Sequence, residues 1–192
     1  MSLELYLVFI TLILAILHML APDHWIPISI LSAKRKYSDS KTGSYGFAIG
    51  TAHGILSSTL ALVIAFLGIS FLGYSNIKIA SIVLLAAVCI YILLNAVKER
   101  KAERNVENTS LLVSIIPDPA FLPIVLSSTI YGYFFIGFLS VLFVVAGGLS
   151  LMMVVLLAHR GMLKSLEKVK PDNVDYVVVA VLLLTSNTSF FK

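Results

Sequence analysis

"HMLAPDHWIP", residues 18–27, decides the fold, because it interrupts the most apolar part of the chain. It follows "LELYLVFITLILAIL" (3–17) and places two histidines, an aspartate, a tryptophan and two prolines inside one membrane-length run. Proline has no N–H to donate, and its ring clashes with the carbonyl four residues earlier. Pro22 is therefore expected to release the carbonyl of His18, and Pro27 that of Asp23. On an unbroken helix, Asp23 and His24 would lie about 140° and about 240° around from His18, so the three could not face one point. Irregular backbone at membrane depth is tolerated only where protein buries it or where it lines a wet cavity. The stretch reads as a broken helix carrying a polar site.

The rest of the chain agrees that lipid is its solvent. Of 192 residues, 59% are hydrophobic and 12% charged, where a soluble domain carries roughly a quarter charged. Mean hydropathy is +0.99. Six spans are predicted, at about 3–31, 44–70, 77–97, 110–129, 131–158 and 174–191, each close to the length needed for a ~30 Å hydrocarbon core. The last is short for a full crossing. "MSLE" has no basic n-region and no small-residue cleavage site follows the first run, so that run is expected to be a retained span. The single cysteine, Cys89, excludes an intramolecular disulfide and a dithiol couple.

Charge sets the expected orientation. Lys34, Arg35, Lys36 and Lys41 follow span one; Lys98, Arg100, Lys101 and Arg104 follow span three; Arg160, Lys164, Lys168 and Lys170 follow span five. Twelve of fourteen basic residues thus fall on one side, against Lys78 and Lys192 on the other. The positive-inside rule puts those three loops in the cytoplasm and both termini outside a plasma membrane. The net charge of +4 is explained by that asymmetry, not by nucleic acid.

The halves resemble each other. "APDHWIPISILS" (21–32) parallels "IPDPAFLPIVLSS" (116–128), and "YGFAIG" (45–50) parallels "YGYFFIG" (131–137). Three spans per copy is an odd number, so the copies must cross in opposite directions, an arrangement common among transporters. The expected fold is an all-α integral membrane protein of six transmembrane helices in two inverted three-helix repeats, with proline-broken first and fourth helices. Residues 1–97 form the first repeat, 98–109 a cytoplasmic linker and 110–192 the second repeat.

Of ten acidic residues, only Asp23 and Asp118 lie well inside a span, and both follow a proline. Counted from the span ends, His18, Asp23, His24, His53 and Asp118 all fall in the cytoplasmic half of the bilayer, where ionisable groups are costly unless they pair or line a cavity. Imidazoles with a carboxylate suit nickel, cobalt and zinc. Magnesium and calcium favour oxygen shells. His18, Asp23, His24 and His53 are the candidate metal ligands. His53 stands open between ligand and interhelical hydrogen bonder, and Asp118 between a counter-charge and a helix cap. Pro22, Pro27, Pro117 and Pro119, with Asp118, mark the expected helix breaks and pathway. Glycines flank His53 in "GTAHG", which permits close helix approach. Trp25 reads as packing at the bend, His159 as a stabiliser of its helix end, and the hydroxyls of "LSSTLALV" as bonded back to their own helix.

His18, four residues, then Asp23-His24 reproduces the HX4DH signature of the nickel/cobalt permease (NiCoT/NicO) superfamily, and "GFAIGTAHG" resembles the second-helix motif of its smaller members. That resemblance covers about 40 residues. It implies metal-ligating or selectivity roles for His18, Asp23 and His24, a further contact from His53, and a three-plus-three layout. Larger uptake permeases have about eight spans, and several efflux members carry a histidine-rich loop; neither is present, so the small urease-accessory-like and hydrogenase-associated branch is the better match.

The function expected is secondary transport of Ni²⁺ or Co²⁺, with the ion as cargo and no tightly bound cofactor. Its partners are the metal ion and the lipid bilayer, and a homo-oligomer is compatible with it. No GxxxxGKS-type loop is present for nucleotide hydrolysis, and no HExxH for a metalloprotease. The alternatives are an exporter of small organic ions on the same fold and, less favoured, a membrane enzyme.

Overall fold

The computed structural model describes residues 3–101 and 119–161, and every element among them is helical. They are α1 (Leu3–Met19), α2 (Pro22–Lys34), α3 (Asp39–Lys101), α4 (Leu122–Ser128) and α5 (Tyr133–His159), with single 3₁₀ turns at Pro119–Phe121 and Thr129–Tyr131. Residues 1–2, 102–118 and 162–192 fall outside this description, and with them most of the predicted linker, the first part of span four and all of span six, while residues 98–101 of that linker belong to the end of α3.

The first predicted span is broken as expected. α1 and α2 meet at an angle of 46°. Ala21 before the break has φ −60° and ψ 130°, the extended shape that a following proline imposes. Pro22 then opens α2 at the first helical position, where its missing N–H costs nothing. Pro27, by contrast, is carried inside α2 without ending it.

α3 differs from the expectation at both ends. It begins at Asp39, five residues earlier than predicted, because Ser38 caps it: the Lys41 N–H donates to Ser38 Oγ at 3.4 Å. It also runs unbroken through "GYSN" (73–76), where a turn between spans two and three is predicted. That segment holds one glycine and no proline, and a single interior glycine costs only about 1 kcal/mol relative to alanine. The turn predicted near "STIYG" does form, as the 3₁₀ turn ending at Gly132, whose φ of +84° a side chain would resist.

The glycines of α3 fix its partner. A Cβ at Gly46 would stand 3.0 Å from Met152 Cα; at Gly50, 3.0 Å from Gly147 O and Gly148 Cα; at Gly54, 3.0 Å from Val144 Cα. Rising positions on α3 thus meet falling positions on α5, so the two helices are antiparallel with their backbones in close approach. At the far end of that pair Asp39 accepts a hydrogen bond from Arg160 Nε at 2.8 Å. The first helices run the other way. Leu7, Ile10 and Leu14 of α1 pack in one cluster with Phe121, Leu139 and Phe143, while Met19, Trp25 and Ile28 pack with Leu151 and Val155. α1–α2 therefore lies parallel to α5.

Polarity is inverted relative to a water-soluble bundle. α1 buries Leu7, Ile10, Thr11, Leu14, Ala15 and His18 on one stripe, and exposes Leu5, Phe9, Ile13 and Ile16 on the other. α5 likewise exposes Phe134, Phe138, Val141, Val145 and Met153. Apolar faces of this extent need lipid or protein against them. Among the described residues, two segments, Asp39–Leu67 and α5, are long and apolar enough to cross a membrane, and the bent α1–α2 pair makes a third if it counts as one span.

Candidate metal centre

His18 lies in the last turn of α1, His24 in the first turn of α2, and His53 on α3. The break places the first two on opposite sides of one corner, and α3 brings the third against them. All three are buried, His53 completely. Ring centroids are 4.7 Å apart for His18 and His24, 5.1 Å for His18 and His53, and 4.8 Å for His24 and His53. One nitrogen from each ring falls within 4.8 Å of the others.

The tightest contact is His18 Nε2 to His53 Nε2, at 3.1 Å. One of these nitrogens must donate and the other accept, so the contact excludes two imidazolium rings facing each other. The same distance is what a shared ion would require. Two imidazole nitrogens bound to one first-row metal at about 2.0–2.1 Å stand roughly 2.9–3.4 Å apart, depending on geometry. The third ring needs only a small side-chain movement to complete the set.

The backbone at the corner is arranged differently from the sequence expectation. The His18 carbonyl is not released: it accepts the Ala21 N–H at 3.1 Å in a 3₁₀-type closure of α1. The His24 N–H goes to Ala21 O at 3.1 Å, which diverts it from Leu20, its partner in a continuous helix. The Leu20 carbonyl takes the Trp25 indole N–H instead, at 3.2 Å. Trp25, read from sequence as packing, is buried and also spans the break.

Of the other predicted site residues, Pro22 and Asp23 belong to the first turn of α2, and the Asp23 side chain is outside the described atoms. Pro119 opens a 3₁₀ turn, while Pro117 and Asp118 lie outside the described residues. His159 is remote from the cluster, 3.6 Å from Asp39 at the end of α5.

One neighbour escaped the sequence reading. Ser57 Oγ approaches His53 Nε2 at 3.3 Å, where its hydroxyl was expected to bond only to its own helix backbone. The signal was the four-residue spacing in "HGILS", which places both side chains on one helical face. α5 supports the corner from behind, with Gly147 close to Met19: a Cβ there would stand 3.7 Å from the Met19 methyl. No family model, curated protein or solved structure significantly matches this chain.

Proposed function

We propose that this protein is a secondary transporter for divalent first-row metal ions, Ni²⁺ or Co²⁺ above others, with His18, His24 and His53 as the protein ligands at the centre of its path. The observation that carries the reading is three buried imidazoles converging at a helix break inside an apolar bundle. Burying three such groups away from water is costly unless they bind something or one another. Nitrogen donors favour borderline transition metals over magnesium or calcium. Transporters commonly place their sites at such interruptions near mid-membrane. Asp23, adjacent to His24 in sequence, is proposed as the carboxylate of the site, and the HX4DH resemblance to nickel/cobalt permeases supports the same assignment.

The architecture proposed with it has six crossings in two inverted triplets, basic loops in the cytoplasm and both termini outside. It requires α3 to fold back near residues 73–76 when inserted, since 63 residues at ~1.5 Å each make a rod of about 95 Å against a ~30 Å core.

Proteoliposomes holding the full chain and a trapped metal-sensitive dye test the function. Saturable Ni²⁺ or Co²⁺ entry is expected, and it should fall to the rate of empty vesicles in the His18→Ala/His24→Ala pair and in His53→Ala. Uptake should weaken as pH falls, because protons compete for the same ring nitrogens. Wild-type metal binding by the folded double variant would defeat the assignment.

A further inference from the structure

Beside the three imidazoles and the carboxylate proposed for Asp23, Ser57 offers the site a further donor atom. It lies one turn beyond His53 on α3, is 1% exposed, and its Oγ is 3.3 Å from His53 Nε2. That nitrogen is also the atom His18 Nε2 reaches at 3.1 Å, so one side chain from α1 and one from α3 itself converge on a single atom. Four other buried hydroxyls, those of Thr11, Ser128, Thr129 and Ser140, donate at 2.7–2.9 Å to nearby backbone carbonyls. Ser57 reaches a candidate ligand atom.

Resting on the metal reading of the histidines, we infer that Ser57 Oγ is a further donor to the transported ion, beside the three imidazoles and the Asp23 carboxylate, and that a neutral hydroxyl at this place adds no charge to hold the ion back. An ion on a transport path must bind well enough to enter and weakly enough to leave. A thiolate or carboxylate at position 57 would supply charge, and a thiolate softness too, holding the ion in place. Ser57 thereby sets both affinity and turnover.

The test is Co²⁺ titration of the purified full chain in a Cys89→Ser background, comparing Ser57→Cys, Ser57→Ala and Ser58→Cys. Ser57→Cys is expected to show thiolate-to-cobalt charge-transfer absorption, to bind Co²⁺ at least about tenfold more tightly, and to release it more slowly in vesicles. Ser58→Cys, about 100° further around the helix, should show no such band, and Ser57→Ala should bind more weakly than the parent. A Ser57→Cys protein without the band, together with parental affinity in Ser57→Ala, overturns the inference. If the parent binds no Co²⁺, the histidine site falls with it. If the parent binds Co²⁺ and loses it in His53→Ala, yet is indifferent to position 57, only the serine assignment falls. Should Ser57→Cys not fold, Ser57→Thr against Ser57→Val decides, because they match in shape and differ in the hydroxyl. Equal Co²⁺ affinities for that pair overturn the inference.

Discussion

At the scale of single residues, the corner between α1 and α2 depends on who satisfies which backbone group. The break strands the Leu20 carbonyl, and the Trp25 indole takes it at 3.2 Å. Trp25 is next to His24 and is itself 2% exposed, so its ring both fills the corner and fixes how α2 leaves it. Trp25→Phe keeps an aromatic ring and removes the donor. Leaving a fully buried carbonyl unsatisfied costs about 1–3 kcal/mol, and the part-buried Leu20 carbonyl less. A lower thermal midpoint of the detergent-solubilised protein is expected, together with weaker Ni²⁺ binding by equilibrium titration. Unchanged values in both would mean that the indole only packs.

At the scale of elements, the α3–α5 contact holds the site together by the absence of side chains. Gly46, Gly50 and Gly54 meet the α5 backbone at distances where a Cβ has no room, whereas Gly137, the counterpart of Gly50 in the second "YG…G" segment, meets nothing within 4 Å. The two copies of that segment therefore differ in what they touch. Overpacking a tight interface costs about 1–3 kcal/mol, and more where backbone opposes backbone. Gly50→Val is expected to lower thermal stability by that order and to impair metal binding, since Gly50 lies one turn before His53. Gly137→Val should lose no more than its open surroundings imply. Unfolding scans of the two variants in the same detergent would show it, and equal losses would refute the packing account.

At the scale of the whole molecule, Lys34, Arg35 and Lys36, which precede α3, and Arg160, which closes α5, lie at one end, tied by Asp39 with Arg160 Nη2 2.7 Å from its carboxylate. The pair is largely exposed, and such bridges contribute at most about 1 kcal/mol. Its value here is topological. Residues 36 and 161 should face the same compartment, which in the proposed orientation is the cytoplasm. Single cysteines at those positions, in a Cys89→Ser background, are expected to react with a membrane-impermeant maleimide only in inside-out vesicles. Labelling of either from outside intact cells would reverse the proposed orientation.

Much of this was legible in the chain because lipid simplifies the code. Long apolar runs announce helices, since every backbone group in lipid must be paired internally. A Pro-containing polar stretch within such a run announces a break, and "HMLAPDHWIP" became the α1–α2 corner. Local rules failed where two segments distant in sequence share the outcome. The meeting of His53 with His18 and His24, the role of Ser57, and the diversion of the Leu20 carbonyl to Trp25 all follow from helices brought together in space. Periodicity fixes which face a side chain leaves from, but not what waits opposite. By itself, then, the sequence determined the helical character of the described residues, their apolar exteriors and the place of the first break, which are properties of one segment and its solvent, but not the bounds of α3. Only tertiary structure decided that three imidazoles and a hydroxyl share one buried point, because that depends on the register in which the glycine face of α3 settles against α5 and the bent first helix.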